Sequence, residues 1–295
     1  MTAPGPALPR GPGSGPPRRE PRRRAWRDEL GEEGAKAALI AAASTVVLIT
    51  VIVVLVGRSE SWPQVRRQFF NGEDFRESFP DVLGGFWLNL QMWIVAEVLI
   101  LGFALLVAVV RSLRGPAFFP LRALAVIFID LFRGVPLLLV IILFGFGIPA
   151  LDISWVPNGA YFWGVTALVL SYAAYTAEVY RAGIDSVHES QRAAARSIGL
   201  TQWQTMRYAV LPQAVRNVVP ALLNGLVSLQ KDVALVSVLG VREAVREAEI
   251  YTARTFNYTS FVAATVLFLI ASVPLARFTD WYTARDRARR SQNAT

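Results

Sequence analysis

The sequence predicts an all-α polytopic membrane protein with six transmembrane helices, and three observations carry that prediction. Apolar residues make up 54% of the chain and charged residues only 18%, with a mean hydropathy of +0.40, whereas a soluble domain carries about 25% charged residues. The apolar residues gather in six blocks, 37–57, 82–110, 123–151, 153–177, 217–241 and 255–276. Each is long enough to cross a hydrocarbon core of about 30 Å as helix. The basic residues alternate with those blocks: segments 1–36, 111–122, 181–216 and the end from Arg277 hold 21 Lys and Arg, and the segments 58–81 and 242–254 hold seven. The positive-inside rule then predicts both termini in the cytoplasm. It also accounts for the net charge of +8, so the arginines imply membrane lipid as a partner and no nucleic acid.

In chain order, residues 1–35 are rich in Pro, Gly and Arg, with a run from Arg18 to Arg24. Such a composition cannot bury a core and reads as a disordered cytoplasmic tail. The helix expected at 36–57 is longer than the roughly 7–15 apolar residues of a signal peptide, so it reads as a retained N-terminal span. An extracytoplasmic segment follows at 58–81. A core of five further helices occupies 82–278. Within it, Pro149, Pro157, Asn158 and Gly159 supply turn chemistry, which predicts helices at 123–146 and 160–180 with a short loop between. A basic cytoplasmic tail closes the chain at 279–295.

Residue counts remove several chemistries. The chain has no cysteine and one histidine, His188, so no disulfide or transition-metal site is expected. Only Lys36 and Lys231 are lysines. Neither follows a GxxxxGK run, so no phosphate-binding loop is present.

Residues 181–216 are too long for a simple connector. Ser186 to Glu189 fits an S-x-x-E capping box and Thr201 to Gln204 a T-x-x-Q box, each a signal for a helix start. Between them Ala193, Ala194 and Ala195 make a small-residue helix ending at Gly199, the usual residue for a left-handed helix end. A second short helix, carrying Trp203, Met206 and Tyr208, is predicted to stop before Pro212. Two short helices bent at Gly199 suit docking of a partner protein, with an amphipathic helix lying on the bilayer as the alternative.

The segment resembles the EAA loop of bacterial ABC-importer permeases: Ala193-Ala194-Ala195, Gly199, then Leu211-Pro212. Ala193 stands where that family usually has Glu. Three further runs resemble polar amino-acid permeases: Phe132 to Leu138 matches FRGTPLL, Tyr175 to Ile184 matches YxAExxRxGI, and Lys231 to Ser237 matches KDTSLVS. The resemblance covers about 84–280, and glutamate-type permeases of high-GC Gram-positive bacteria are similar in carrying an N-terminal extension. It implies an ABC-importer permease fold with a cytoplasmic coupling-helix loop, in a bacterial plasma membrane. It also implies two ATPase subunits gripping the loop through Ala193, Ala194, Ala195, Gly199, Trp203, Leu211 and Pro212, a second permease subunit, identical or homologous, and an extracellular amino-acid-binding protein. No cofactor is expected on this chain; ATP and Mg would be used by the partner ATPase.

Charges inside the spans are the candidate pathway residues, because each costs about 2.5–3.5 kcal/mol on insertion scales and usually faces protein or water. Asp130 and Arg133 are i,i+3 and can neutralise each other. Alternatively Arg133 attracts a substrate carboxylate, for which a guanidinium is suited. Gly134 and Pro136 break helical hydrogen bonding just beyond, as at discontinuous transporter helices. Lys231 and Asp232 are adjacent and point to different faces, so they suit either the pathway or an interhelical pair. Glu97 is mid-span, with Lys231 or a neighbouring subunit as its partner. Asn89 and Gln91 can hydrogen-bond substrate or bridge helices. Glu178 can pair with Arg181 at the inner end of the fourth helix.

The sequence therefore predicts a permease subunit of an ATP-driven importer of a polar amino acid, glutamate or glutamine first, because Arg133 and Lys231 would lower the barrier for carboxylates. The alternative is a stand-alone channel or ion-coupled secondary transporter. A membrane enzyme would need a convergent catalytic set, and the sequence offers none.

Overall fold

The computed structural model describes residues 32–113 and 115–292. The expected N-terminal tail, with Arg18 to Arg24, lies outside the described residues. The chain divides into two units, one ending at Trp62 and the other beginning at Pro63. The first contains α1 (Glu32–Gly57). From Ala37 to Gly57 every side chain is exposed. A helix apolar on all sides needs lipid or protein as its solvent.

The second unit begins within α2 (Trp62–Phe69) and continues into the long helix α3 (Gly72–Ser112). Asn71 caps α3 by accepting from the Glu73 amide at 2.9 Å, and Glu73 and Asp74 place negative charge in its first turn. The helix therefore starts well before 82, and residues 72–81, expected as part of a connector, are continuous with the span.

The helix expected at 123–146 is broken. It forms as α4 (Phe119–Gly134) and α5 (Leu137–Ile142), followed by a π turn at Leu143–Gly147 and a 3-10 turn at Pro149–Leu151. The helical path bends by 108° between the stretches Pro116–Gly134 and Leu137–Leu151. Pro136 has no amide to donate and disfavours helical geometry in the residue before it; Val135 is extended there, with ψ 131°.

Next come α6 (Ala160–Asp185), α7 (Glu189–Ser197) and α8 (Gln202–Gln204). A π turn at Thr205–Val210 leads from α8 directly into α9 (Leu211–Asp232). The expected stop before Pro212 does not occur. A proline is tolerated in the first helical turn, and the wider turn before it absorbs the lost i→i−4 bond. After a 3-10 stretch at Val233–Leu239 the chain turns at Gly240 (φ 82°) into α10 (Ala244–Thr255) and then α11 (Thr259–Gln292).

Among the described residues, four helical stretches are long and apolar enough to cross a membrane: Ala37–Gly57, Trp62–Ser112, Gln202–Leu239 and Thr259–Asp286. The bent pair α4–α5 meets the same test as one unit. With 26 residues, α6 is long enough to cross at about 1.5 Å per residue, but it does not meet the same test of apolarity, so the described residues give up to five such spans where six were expected. Its composition is less apolar because Ser171, Tyr172, Tyr175 and Thr176 punctuate it.

Helix α6 is the centre of the bundle. Its Val165, Ala167 and Leu168 pack with Met92, Ala96 and Ile100 of α3 and with Leu229 of α9, all buried. Lower on the same helices, Ala104 and Val107 of α3 pack with Ala173 and Ala177 of α6 and Ile129 of α4. Alanines let the backbones approach closely, the usual route to helix association in lipid.

At the opposite end from the 181–216 loop, α10 lies against α3 and α11. Val82 and Phe86 pack with Ala244, Ala248, Ala263 and Ala264. A Cβ on Gly85 would sit 2.6 Å from the Glu243 carbonyl carbon, so only glycine permits this approach. Tyr251 of α10 donates its hydroxyl to Asp74 at 2.7 Å and Glu77 at 3.1 Å. Burial, and then those two carboxylates, push its phenol well above the usual range.

Candidate functional site

The α4–α5 break opens a cavity of about 610 Å³ between α3, α4, α6 and α9. Its polar wall consists of Glu97 from α3, Arg133 from α4, Ser171, Tyr172 and Tyr175 from α6, and Asp232 from α9. Ile100, Phe132 and Leu137 supply apolar surface. Tyr172 donates its hydroxyl to Asp232 Oδ2 at 2.6 Å. The Ser171 hydroxyl is buried and has no hydrogen-bond partner among the described residues. Neither hydrogen bond nor ion pair reaches the Glu97 carboxylate among the described residues. A pocket of this size with a few convergent polar groups has the form of a small-ligand site.

Arg133 does not pair with Asp130. Asp130 is exposed and lies outside every ion pair among the described residues. The Arg133 guanidinium instead turns toward α6, 5.7 Å from the centre of the Tyr175 ring and 3.9 Å from Glu178 Oε1. Tyr175 donates to the Arg133 carbonyl at 3.2 Å, tying down the end of α4 where Gly134 and Pro136 end the helix. The i,i+3 spacing allowed the expected pair; a ring and a carboxylate on the neighbouring helix offered the guanidinium more.

Glu178 is a hub. It accepts from Arg111 at the end of α3 and from Arg181 Nε at 2.9 Å, the expected i,i+3 pair. Arg181 also bonds Asp185 at 2.7 Å. Glu178 thus joins α3, α4 and α6 at the loop end of the cavity.

Three predicted pathway residues fall elsewhere. Lys231 is exposed on α9 and does not line the cavity, so it is not the partner of Glu97. Gln91 is exposed on α3. Asn89 is 1% exposed and bridges α3 to α10, donating to Glu243 Oε2 at 2.9 Å and accepting from the Ala244 amide at 3.0 Å. Sequence reasoning missed Glu243, which is fully buried and caps α10 through the amides of Val245 and Arg246; an acid just before a helical stretch was its available signal. It also missed the cavity's tyrosines, whose signal was their i,i+3 spacing on α6 beside Glu178.

The 181–216 loop forms the expected bent pair. Gly199 adopts φ +88° with open space around its α-carbon. The box at Thr201 forms: its hydroxyl accepts from the Gln204 amide and the Gln204 side chain accepts from the Thr201 amide. The box at Ser186 does not. His188 caps α7 instead, accepting from the Ser190 amide, because Ser186 is held by α9, its hydroxyl accepting from Asn217 at 2.7 Å. Ala193 and Ala194 are exposed, and so are Ile198 at 78%, Trp203 at 71% and Tyr208 at 65%. Met206, expected beside them, packs inward with Val187, Val210 and Ala214.

A bundle of membrane-length helices, broken at a polar cavity and projecting a bent-helix loop with exposed aromatics, defines the membrane-spanning subunit of a transport system. The chain belongs to the family of binding-protein-dependent transport system inner membrane components, which it matches over residues 100–287. It is 34% identical over 191 residues to an arginine transport system permease protein of Bacillus subtilis, spanning 63% of this chain and 84% of the relative. It is 32% identical to a putative glutamine transport system permease protein of Rickettsia felis, over 64% of this chain and 85% of the relative. The fold is that of an ABC transporter permease: a crystal structure of an amino acid ABC transporter with histidines superposes with a TM-score of 0.67 at 28% identity, covering 73% of this chain and 98% of the other.

Proposed function

We propose that this chain is the permease subunit of an ATP-driven importer that moves a polar amino acid inward across a bacterial plasma membrane. The observation that carries this reading is the cavity at the α4–α5 break, whose Glu97, Arg133 and Asp232 can meet the ammonium and carboxylate of an amino acid. Arg133 is the group for the α-carboxylate, and Glu97 and Asp232 are the groups for the ammonium. Glu178, Arg181, Gly134 and Pro136 hold the loop end of the path. Hydrolysis of Mg-ATP belongs to two separate ATPase subunits docked on the loop through Ala193, Ala194, Gly199, Trp203, Leu211 and Pro212, while Ala195, expected among these contacts, is buried on the inner face of α7 and holds the loop to the bundle instead. Ile198 and Tyr208 extend that surface. An extracellular binding protein delivers the substrate, and a second permease subunit completes the path. Both termini are cytoplasmic, and the core at 82–278 carries the N-terminal helix as an addition.

Within this reading glutamine and glutamate remain the first substrates, in line with the glutamine-type relative. Glutamine suits the cavity better than glutamate, because Glu97 and Asp232 repel a second carboxylate. A basic amino acid is the second reading. It is favoured by those two acids beside a single arginine, by the position of Lys231 outside the cavity, and by the arginine-type relative. The experiment is uptake of labelled glutamate, glutamine, arginine and histidine in cells carrying the whole assembly. Glutamine uptake competed by glutamate supports the first reading. Competition by arginine or histidine alone replaces it with the second. Uptake that persists without the ATPase overturns the ATP-driven assignment.

A further inference from the structure

At the end of the bundle opposite the 181–216 loop, α3 and α11 leave an apolar groove of about 700 Å³ between them. Leu83, Trp87 and Leu90 wall it from α3, and Leu267 and Ile270 from α11. The groove is preformed. Phe86, which also lines it, stands edge-on to Phe268 with 5.2 Å between ring centres, and a Cβ on Gly84 would meet open space. From Pro80 to Leu90 the helix rises about 15 Å, half of a hydrocarbon core of about 30 Å, so the groove has the depth of one leaflet. No side chain fills it among the described residues, and close packing in a bilayer draws hydrocarbon chains into such a space.

Charged groups stand at its head. Arg76, Pro80, Leu83 and Trp87 follow at i, i+4, i+7 and i+11, within an arc of about 60°, so Arg76 lies above the groove. Its side chain is exposed, and neither hydrogen bond nor ion pair reaches its guanidinium among the described residues. Two neighbouring acids are committed elsewhere: Asp74 accepts from Tyr251 and Asn257, and Glu77 accepts from Tyr251. Pro80 stands inside α3 and has no amide, so the Arg76 carbonyl lacks its donor at i+4. Glu73 is exposed and neighbours Arg76 on the helix surface at i−3. A cation that donates to an anion, and beside it a carbonyl and a carboxylate that accept, thus sit over an apolar slot.

We infer that the groove is a binding site for a phospholipid with a primary-ammonium headgroup, the phosphatidylethanolamine class. One acyl chain lies between α3 and α11, the phosphate on Arg76, and the ammonium on the Arg76 carbonyl and Glu73. A guanidinium can hold a phosphate through two parallel hydrogen bonds. The headgroup selects itself by its donors and charge: an ammonium has N–H groups for both acceptors, a choline has none, and a net anionic headgroup is repelled by Glu73. The inference needs only the membrane-spanning bundle, and neither the substrate nor the ATPase enters it.

The whole assembly, extracted in mild detergent and washed free of lipid, is offered phosphatidylethanolamine, phosphatidylcholine or phosphatidylglycerol with identical acyl chains. Native mass spectrometry counts the lipid retained per copy of this chain. Phosphatidylethanolamine is expected to exceed each of the others roughly fivefold. Arg76→Gln removes the cation and Gly84→Leu fills the slot, and each should lower that retention by a similar factor. Arg76→Lys should keep most of it. Gly102→Leu, at another open glycine of α3 outside the groove, should leave it unchanged. If Gly84→Leu fails to assemble, Arg76→Gln at its exposed position decides alone. Equal retention of the three lipids overturns the headgroup assignment, and unchanged retention in Arg76→Gln overturns the site. The chain contains no cysteine, so Leu83→Cys can carry a single thiol-linked benzophenone. Irradiation in membranes should add the mass of one lipid, and a cross-link to α1 or to another chain instead overturns the lipid as occupant. None of these readouts uses substrate or ATP, so they stand apart from any failure of the uptake experiment.

Discussion

The carboxamide of Asn89 holds both ends of a two-point clasp on Glu243: its nitrogen donates to Glu243 Oε2 at 2.9 Å, while its oxygen accepts from the next amide, Ala244, at 3.0 Å. The clasp joins α3 to the start of α10 at the end of the bundle away from the loop, with Gly85 pressed against the same backbone one helical turn away. Both side chains are buried, so neither hydrogen bond can be replaced by water.

Asn89→Leu leaves the Glu243 carboxylate and the Ala244 amide short of a partner, at about 1–3 kcal/mol for a buried unsatisfied group. Gly85→Ala forces a methyl into the Glu243 backbone, at about 1–3 kcal/mol for overpacking. Each variant should lower the melting temperature of the detergent-solubilised assembly by several degrees. The pair should be less than additive, because both loosen the same contact. Unchanged melting of Gly85→Ala would show that α10 does not sit against α3 as described.

Glu178 makes its close ion pairs with Arg111 and Arg181 and only a 3.9 Å contact with Arg133. Glu178→Gln leaves several guanidiniums facing one another at the loop end. The site is partly exposed, with Glu178 at 16% and Arg181 at 48%, so the expected loss is about 1–2 kcal/mol rather than that of a fully buried pair. Arg111→Ala should lose a similar amount and Arg133→Ala less. Thermal melts of the three variants test that ranking, and an Arg133→Ala variant less stable than Arg111→Ala would contradict it.

Gly199 sits at φ +88° with nothing within 4 Å of where a Cβ would be. Space is therefore no obstacle to a side chain, and backbone conformation is: a left-handed residue other than glycine costs about 1–2 kcal/mol. Gly199→Leu should insert normally, lose copurification with the ATPase and lose uptake, while Gly199→Asn, which tolerates that conformation, should keep most of both. Full uptake by well-expressed Gly199→Leu would separate the bend from coupling.

Glu97 faces the cavity without a partner among the described residues, and Asp232 faces it already bonded to Tyr172. Glu97→Gln should therefore change substrate affinity with little effect on stability. Asp232→Asn should affect both, because its bond to α6 weakens with the charge. Uptake KM and melting temperature, measured on both variants, distinguish them. A Glu97→Gln assembly with unaltered KM for every amino acid would remove Glu97 from the path.

How much was legible in advance follows from distance along the chain. The helix break at Gly134 and Pro136, the bend at Gly199, the cap at Thr201 and the Glu178–Arg181 pair each depend on residues within a few positions of one another, and each stands in the structure. The membrane class follows from composition and block length alone. What the sequence could not show is helix rotation and helix neighbourhood. Asn89 meets Glu243 across 154 positions, Ser186 is taken from its expected cap by Asn217 of α9, and Arg133 turns from Asp130 to α6. Lys231 and Asp232 are neighbours in sequence, yet 100° of helical rotation sends Asp232 to the cavity and Lys231 to the open flank. By itself the sequence determined which residues must leave water, where the helices break and where charge must be neutralised. Only the tertiary packing decided which partners neutralise it, because partner choice in lipid is set by which helix faces meet, a relation that spacing along one chain does not contain.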